Sequence, residues 1–191
     1  LLLLPMLLSG VLAAAEQRGH HVAVQEHLMV LATRGVMVSD EVADSHRMDI
    51  LGTSAAELAV YFQRTGAIWV LIAAVEAAQM AYSLAPEGHV HRANYALNLG
   101  SLLSASVTAG VVQATALVKA IGYKREAYTL LPKNHPSRAL SASNLGLGLA
   151  EAVRAGVLQA GALGEAVDCL REAYTLTPKD HPDRARYASN L

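Results

Sequence analysis

Aromatic residues, cysteine and a surplus of charge of either sign are all scarce in this chain, and each scarcity excludes a class of function. Aromatics make up 5% of the 191 residues against a hydrophobic fraction of 53%, so the apolar content is mostly alanine, leucine and valine. That mix suits helices packed closely together. Fifteen basic residues stand against sixteen acidic ones. The basic field that would neutralise a phosphate backbone is missing, and nucleic acid is not an expected partner. The one cysteine, Cys169, has no mate for an intrachain disulfide and cannot build a thiolate metal cluster. With no His-plus-acid set beside it, Cys169 reads as a buried helix residue and not a nucleophile.

Catalytic signatures are also missing. The sequence has no Gly-x-Gly-x-x-Gly, no phosphate-loop lysine motif, no Gly-x-Ser-x-Gly elbow and no strand pattern to carry them. No catalytic residue, cofactor or metal is assigned, and the chain is not expected to be an enzyme. The stretch LLLLPMLLSGVLAAA over 1–15 has the apolarity of a signal-peptide core ending in small residues, but no basic leader precedes it. It falls short of the roughly 20 apolar residues that span a bilayer, and Pro5 interrupts it. No membrane span is expected, and the alternative to a secretion signal is a helix from a truncated upstream unit. The chain opens without methionine and closes in mid-pattern at Asn190-Leu191, as an excerpt of a longer protein would.

What the sequence does contain is a repeat. When Gly100 to Leu145 is laid on Gly146 to Leu191, 27 of 46 positions are identical. The same period reaches back: Tyr82, Pro86, His89, Arg92, Asn98, Leu99 and Gly100 precede Tyr128, Pro132, His135, Arg138, Asn144, Leu145 and Gly146 by 46 residues. Before residue 66 the match decays to Leu51-Gly52 and Arg64-Thr65-Gly66.

Each unit reads as two helices. From Pro136 a helical pattern carrying Leu140, Leu145, Leu149 and Val153 runs to Ala155 and stops at Gly156. A second runs from Ala162 to Thr177 with Ala166, Val167, Leu170, Ala173, Tyr174 and Leu176, and Pro178 ends it. His135-Pro136 and His181-Pro182 are expected to mark helix starts, with proline in the first turn. Asn134 or Asp180 would satisfy the turn backbone, and Asp183 would favour the positive end of the helix dipole.

His89, His135 and His181 could instead suggest a metal site. Equivalent atoms in stacked two-helix units lie about 16 to 20 Å apart for interaxial distances of 8 to 10 Å, whereas zinc needs its ligands within about 2 Å. The expected role is packing or hydrogen bonding in the turn between units.

These residues resemble the tetratricopeptide repeat, a helix-turn-helix unit of about 34 residues with Leu-Gly in its first helix, alanines in its second and a terminal proline. Ala166, Ala173 and Pro178 keep that family's spacing of seven and five, as do Ala120, Ala127 and Pro132, and Ala74, Ala81 and Pro86. The unit is longer around its two turns, where length is tolerated. In this it is similar to the long repeats of kinesin light chain and of fungal and bacterial proteins that accompany CHAT peptidase-like or NB-ARC domains.

The resemblance implies an all-α, right-handed α-solenoid of stacked antiparallel helix pairs. Residues 1–38 would be a degenerate or truncated helical segment, followed by repeats over about 39–86, 87–132 and 133–178 and the start of another at 179–191. It implies a non-catalytic, cytoplasmic protein–protein interaction module whose concave groove binds a peptide or helix. Asn98, Asn144 and Asn190 would point into that groove, flanked by Asn94, Ser101, Ser143 and Ser189. The other reading is a scaffold or sensor arm of a larger CHAT or NB-ARC protein, and self-association through uncapped end repeats is a further expected contact.

Overall fold

A computed structural model describes residues 21–39 and 43–191, and every described element is helical. In chain order these are α1 (His21–Val38), α2 (Asp44–Thr65), α3 (Ile68–Leu84), α4 (Arg92–Thr108), α5 (Ala116–Leu130), α6 (Arg138–Arg154), α7 (Ala162–Leu176) and α8 (Arg184–Asn190). The apolar stretch 1–15 lies outside the described residues. No helix among the described residues is long and apolar enough to cross a membrane.

The helices form two compact units divided between Leu84 and Ala85. In the first, α2 and α3 pack against each other and α1 lies against both. Leu51, Ala55 and Leu58 of α2 and Val70, Leu71, Ala74, Ala77 and Ala81 of α3 are all essentially without exposure. Arg34 of α1 reaches Glu76 of α3 at 3.4 Å, both half in water, so this pair contributes little.

In the second unit α4 pairs with α5 and α6 with α7, and α8 begins the same arrangement. The small residues set the spacing. A Cβ on Gly100 would stand 2.8 Å from the Ala120 carbonyl oxygen, and one on Gly146 would stand 2.8 Å from that of Ala166. The alanines at 120, 127, 166 and 173 are buried to within 1%. Leu117, Ile121, Leu145, Leu149, Ala152 and Ala166 close the core between the pairs. The backbones of α4 and α6 come within 8 Å of each other, as do those of α6 and α8, whereas those of α5 and α7 do not. Long side chains span that wider gap: Arg125 grips Glu165 in a bidentate pair at 2.8 Å, and the Tyr128 hydroxyl donates to Glu172.

Gly110 and Gly156 both take φ of 71° and end α4 and α6. The Val157 N–H reaches back to Ala152 O at 2.9 Å and Gly156 N–H to Val153 O at 3.0 Å, with Val111 to Ser106 and Gly110 to Val107 repeating the pattern. This left-handed closure satisfies the last carbonyls of a helix and favours glycine.

Two expectations are corrected. Helices α6 and α8 begin at Arg138 and Arg184, two residues after the prolines. Pro136 and Pro182 instead hold the second position of a turn closed by Arg138 N–H to His135 O at 2.9 Å and Arg184 N–H to His181 O at 3.0 Å, where a φ near −65° is equally at home. The buried stripe of α6 also runs through Ala142, Leu145, Leu149 and Ala152, leaving Leu140 at 39% and Leu147 at 41% exposure. Val167 and Leu176 of α7 are likewise turned outward. Helix approach here depends on alanine and glycine, so the larger leucines are not the reliable markers of the inner face.

Candidate functional site

The repeated histidines build corners. His135 Nδ1 accepts the Ser137 N–H at 3.1 Å, His181 Nδ1 accepts that of Asp183 at 3.1 Å, and His89 Nδ1 accepts that of His91 at 3.2 Å. Each histidine N–H in turn donates to the proline carbonyl three residues earlier, Pro86, Pro132 or Pro178. The ring therefore satisfies the turn backbone, a task the sequence suggested for Asn134 or Asp180. Asp183 instead pairs with Arg186 at 3.2 Å.

The arginine completes the brace. Arg138 donates to the Leu131 and Tyr128 carbonyls at 2.8 and 2.6 Å, to Glu172 at 2.8 Å, and lies 3.7 Å over the Tyr128 ring. Arg92 makes the matching bonds to Ala85 O and Glu126, and Arg184 those to Thr177 O and Tyr174 O, with its guanidinium 4.1 Å over Tyr174. Burial, then the hydrogen bond to Glu172, pushes the Tyr128 phenol up to about 12. Burial would raise the Glu172 carboxyl, but the bonds from Tyr128 and Arg138 prevail and hold it below its ordinary value. This network ties one helix pair to the next. His135→Ala is expected to lower stability by about 1 kcal/mol in a urea titration, the scale of a lost cap. His135→Asn, whose side-chain oxygen can accept the same N–H, should recover most of it.

The open surface is carried by the first helix of each pair. Asn94, Asn98, Ser101, Ala105 and Thr108 are the exposed or half-exposed positions of one stripe of α4, and Leu140, Asn144, Leu147, Glu151 and Arg154 form the matching stripe of α6. Spacings of three and four put each set on one helix face. Thr108 donates to Glu151 at 3.2 Å, so the two stripes lie side by side. Asn190 of α8 donates to Ser143 Oγ of α6 at 3.4 Å. The structure thus gathers Asn94, Asn98, Ser101, Asn144 and Asn190 on one face of the second unit. Ser143 is buried beneath them as the partner of Asn190, and Ser189 is exposed with its hydroxyl turned to Arg186 O. At the corner end, an open cleft of about 720 Å³ between the two His-Pro turns is lined by His135, Leu140, Leu176, His181, Arg186 and Tyr187 among others.

No family model, curated protein or solved structure matches this chain.

Beneath this face lies a buried cation for which the sequence offered little signal. Lys124 of α5 is 4% exposed, and its Nζ donates to Ser104 Oγ of α4 at 2.7 Å. Burial pulls its ammonium down from the ordinary 10.5 to about 8, opposed by the nearby Glu151 carboxylate. The matching residue one period later is Leu170, and one period earlier Ala78. Gly148, where a Cβ would stand 3.1 Å from Lys124 Nζ, takes the place that Leu102 holds one period earlier. Gly148 is thus the available signal: it marks room taken up by an ammonium. Cys169 is buried, and burial pushes its thiol up to about 11. No group of three or more His, Cys, Asp or Glu among the described residues is placed to hold a metal.

Proposed function

We propose that Ala85–Leu191 forms a non-catalytic interaction module, a stretch of right-handed α-solenoid resembling the tetratricopeptide repeat, that holds a peptide or helix of another protein along the face of α4, α6 and α8. The carrying observation is the unequal spacing of the helices: the first helices approach within 8 Å and the second helices α5 and α7 do not. A stack of this kind bends toward its first helices and makes their common face the hollow side. On that face Asn98 and Asn144 are half-exposed. An amide donates and accepts at once, which suits pairing with the backbone of an extended guest. Leu140 and Leu147, about two-fifths exposed, supply apolar surface between the polar groups.

The test is a random-peptide display selection on the full chain, followed by affinity measurement. Peptides selected by the wild type should bind Asn98→Ala/Asn144→Ala at least about tenfold more weakly, the worth of one or two lost hydrogen bonds. Undiminished binding to the double variant removes the asparagines from recognition.

A further inference from the structure

The arginines at the first two corners each hold a glutamate: Arg92 Nε donates to Glu126 and Arg138 Nε to Glu172, both at 2.8 Å. Around Arg138 the catch has two donors. The Tyr128 hydroxyl, on the ring beneath the guanidinium, gives its proton to the other oxygen of Glu172. Arg184 and Tyr174 repeat this pair one period later. Arg184 is braced on the Thr177 and Tyr174 carbonyls with its guanidinium 4.1 Å over the Tyr174 ring, so both donors are already in position. Among the described residues no carboxylate lies within 4 Å of Arg184, and neither its Nε nor the Tyr174 hydroxyl has a hydrogen-bond partner. Both reach solvent, since neither is among the buried polar atoms left without a partner. The surface beside them is copied as well. Leu117 and Ile121 of α5 are buried in one core with Leu145 and Leu149, and Arg125 is gripped by Glu165. Their copies on α7 stand open: Leu163 and Val167 are about two-fifths exposed and Arg171 mostly so. Arg171 has only the similarly exposed Asp168 three residues away, a pair that contributes little.

We infer that this end of α7 and α8 is a docking surface for a helix of another protein that carries two glutamates seven residues apart, one taken by Arg184 and Tyr174 and the other by Arg171. The template lies in the chain itself. Glu165 and Glu172 stand two turns apart on one face of α7, with the buried Cys169 between them, and meet Arg125 and Arg138 in that spacing. A guanidinium and a hydroxyl aimed at one carboxylate make charge-assisted bonds, and a guanidinium already fixed over an aromatic ring loses little freedom in forming them. Leu163 and Val167 supply the apolar area that Leu117 and Ile121 give at the inner junction. A second copy of this chain is a poor guest: Glu165 and Glu172 are the one pair of glutamates seven apart in the sequence, and both are held within their own chain. The surface uses none of the asparagines of the open face, so the two stand or fall separately.

The test uses the full 15N-labelled chain at pH 7 and follows the side-chain Nε–H signals of Arg184 and Arg138. The probe is a capped peptide with the sequence of residues 160–177, carrying Cys169→Ala and held helical by a lactam bridge between positions 163 and 167, on the face opposite its glutamates. Saturable movement of the Arg184 signal is expected, while Arg138, already bonded to Glu172, stays in place. A twin peptide with Glu165→Gln and Glu172→Gln should bind about tenfold or more weakly, the scale of lost charge-assisted bonds. In the chain, Tyr174→Phe removes the hydroxyl and keeps the ring, and Arg171→Gln alters an exposed side chain, so each should weaken binding severalfold in a protein that still folds. Asn98→Ala/Asn144→Ala should leave it unchanged. The surface is overturned by absent saturation, by a twin that binds as tightly, by Arg138 moving in step with Arg184, or by binding that the asparagine double variant abolishes. Movement of the Arg184 signal on concentrating the chain alone, lost in Tyr174→Phe, would make a second copy the occupant and overturn the assignment to another protein.

Discussion

Gly146→Ala is expected to lower stability by about 1 to 3 kcal/mol, the range for an overpacked core, while Gly122→Ala should raise it by up to about 1 kcal/mol. Both glycines lie inside helices, so alanine gains the same intrinsic propensity at each. They differ in what the new methyl meets. At Gly122 nothing lies within 4 Å, whereas at Gly146 the methyl would stand 2.8 Å from the Ala166 carbonyl oxygen and 2.8 Å from Leu170 Cγ. A leucine tip can rotate away, but a carbonyl inside a helix cannot without moving α7. The two axes must separate, and with them every contact among Leu145, Leu149 and Ala166 loosens. Urea unfolding of both variants beside the wild type measures the contrast. A Gly146→Ala chain as stable as its parent would mean that the helix pair is not closed around this glycine.

The same close approach explains how much of the fold was legible. A period of 46 residues with glycine and alanine fixed at the helix crossings predicts paired helices because few other arrangements need a missing side chain at the same place in each copy. The stop at Gly156 is readable for a similar reason, since φ of 71° strongly favours glycine. The inner face of α6 was harder. Leu140 looks more like core than Ala142, yet Ala142 is buried and Leu140 is not, because hydrophobic pattern cannot tell which side a neighbour approaches when the contact is made by small residues. The histidine corners carry the turn hydrogen bonding expected of them, while the choice between packing and bonding depends on a rotamer, which spacing does not encode. Lys124 was hidden by the comparison that revealed the repeat, in which a departure from the pattern counts as a mismatch. Two departures that compensate, a longer residue at 124 and a missing side chain at 148, carry more information than either alone. The asparagines at 94, 98, 144 and 190, singled out by the family resemblance, are exposed or half-exposed, while Ser143 lies buried with its hydroxyl serving Asn190.

Lys124→Leu is expected to stabilise the chain by about 2 kcal/mol at pH 7, with a gain that shrinks as the pH rises. The ammonium is held at about 8 against an ordinary 10.5, and at 1.36 kcal/mol per unit this difference costs the folded state about 3 kcal/mol. Leucine removes that cost, less about 1 kcal/mol for the Ser104 hydroxyl left without its partner. Below pH 8 both folded and unfolded chains keep the proton, and the full penalty stands. Between pH 8 and 10.5 the folded chain sheds it first, so the wild type gains stability with rising pH and closes on the variant. Cys169 and Tyr128, pushed up by burial to about 11 and about 12, act in the opposite sense above pH 9, but equally in both chains, so the difference between them isolates Lys124. Urea midpoints for the two chains at pH 7, 8, 9 and 10 supply that difference. A constant gap would show that Lys124 is not desolvated where α4, α5 and α6 meet. A narrowing gap means the chain keeps, at a cost of about 2 kcal/mol by the reckoning above, a cation that packing alone would replace with leucine.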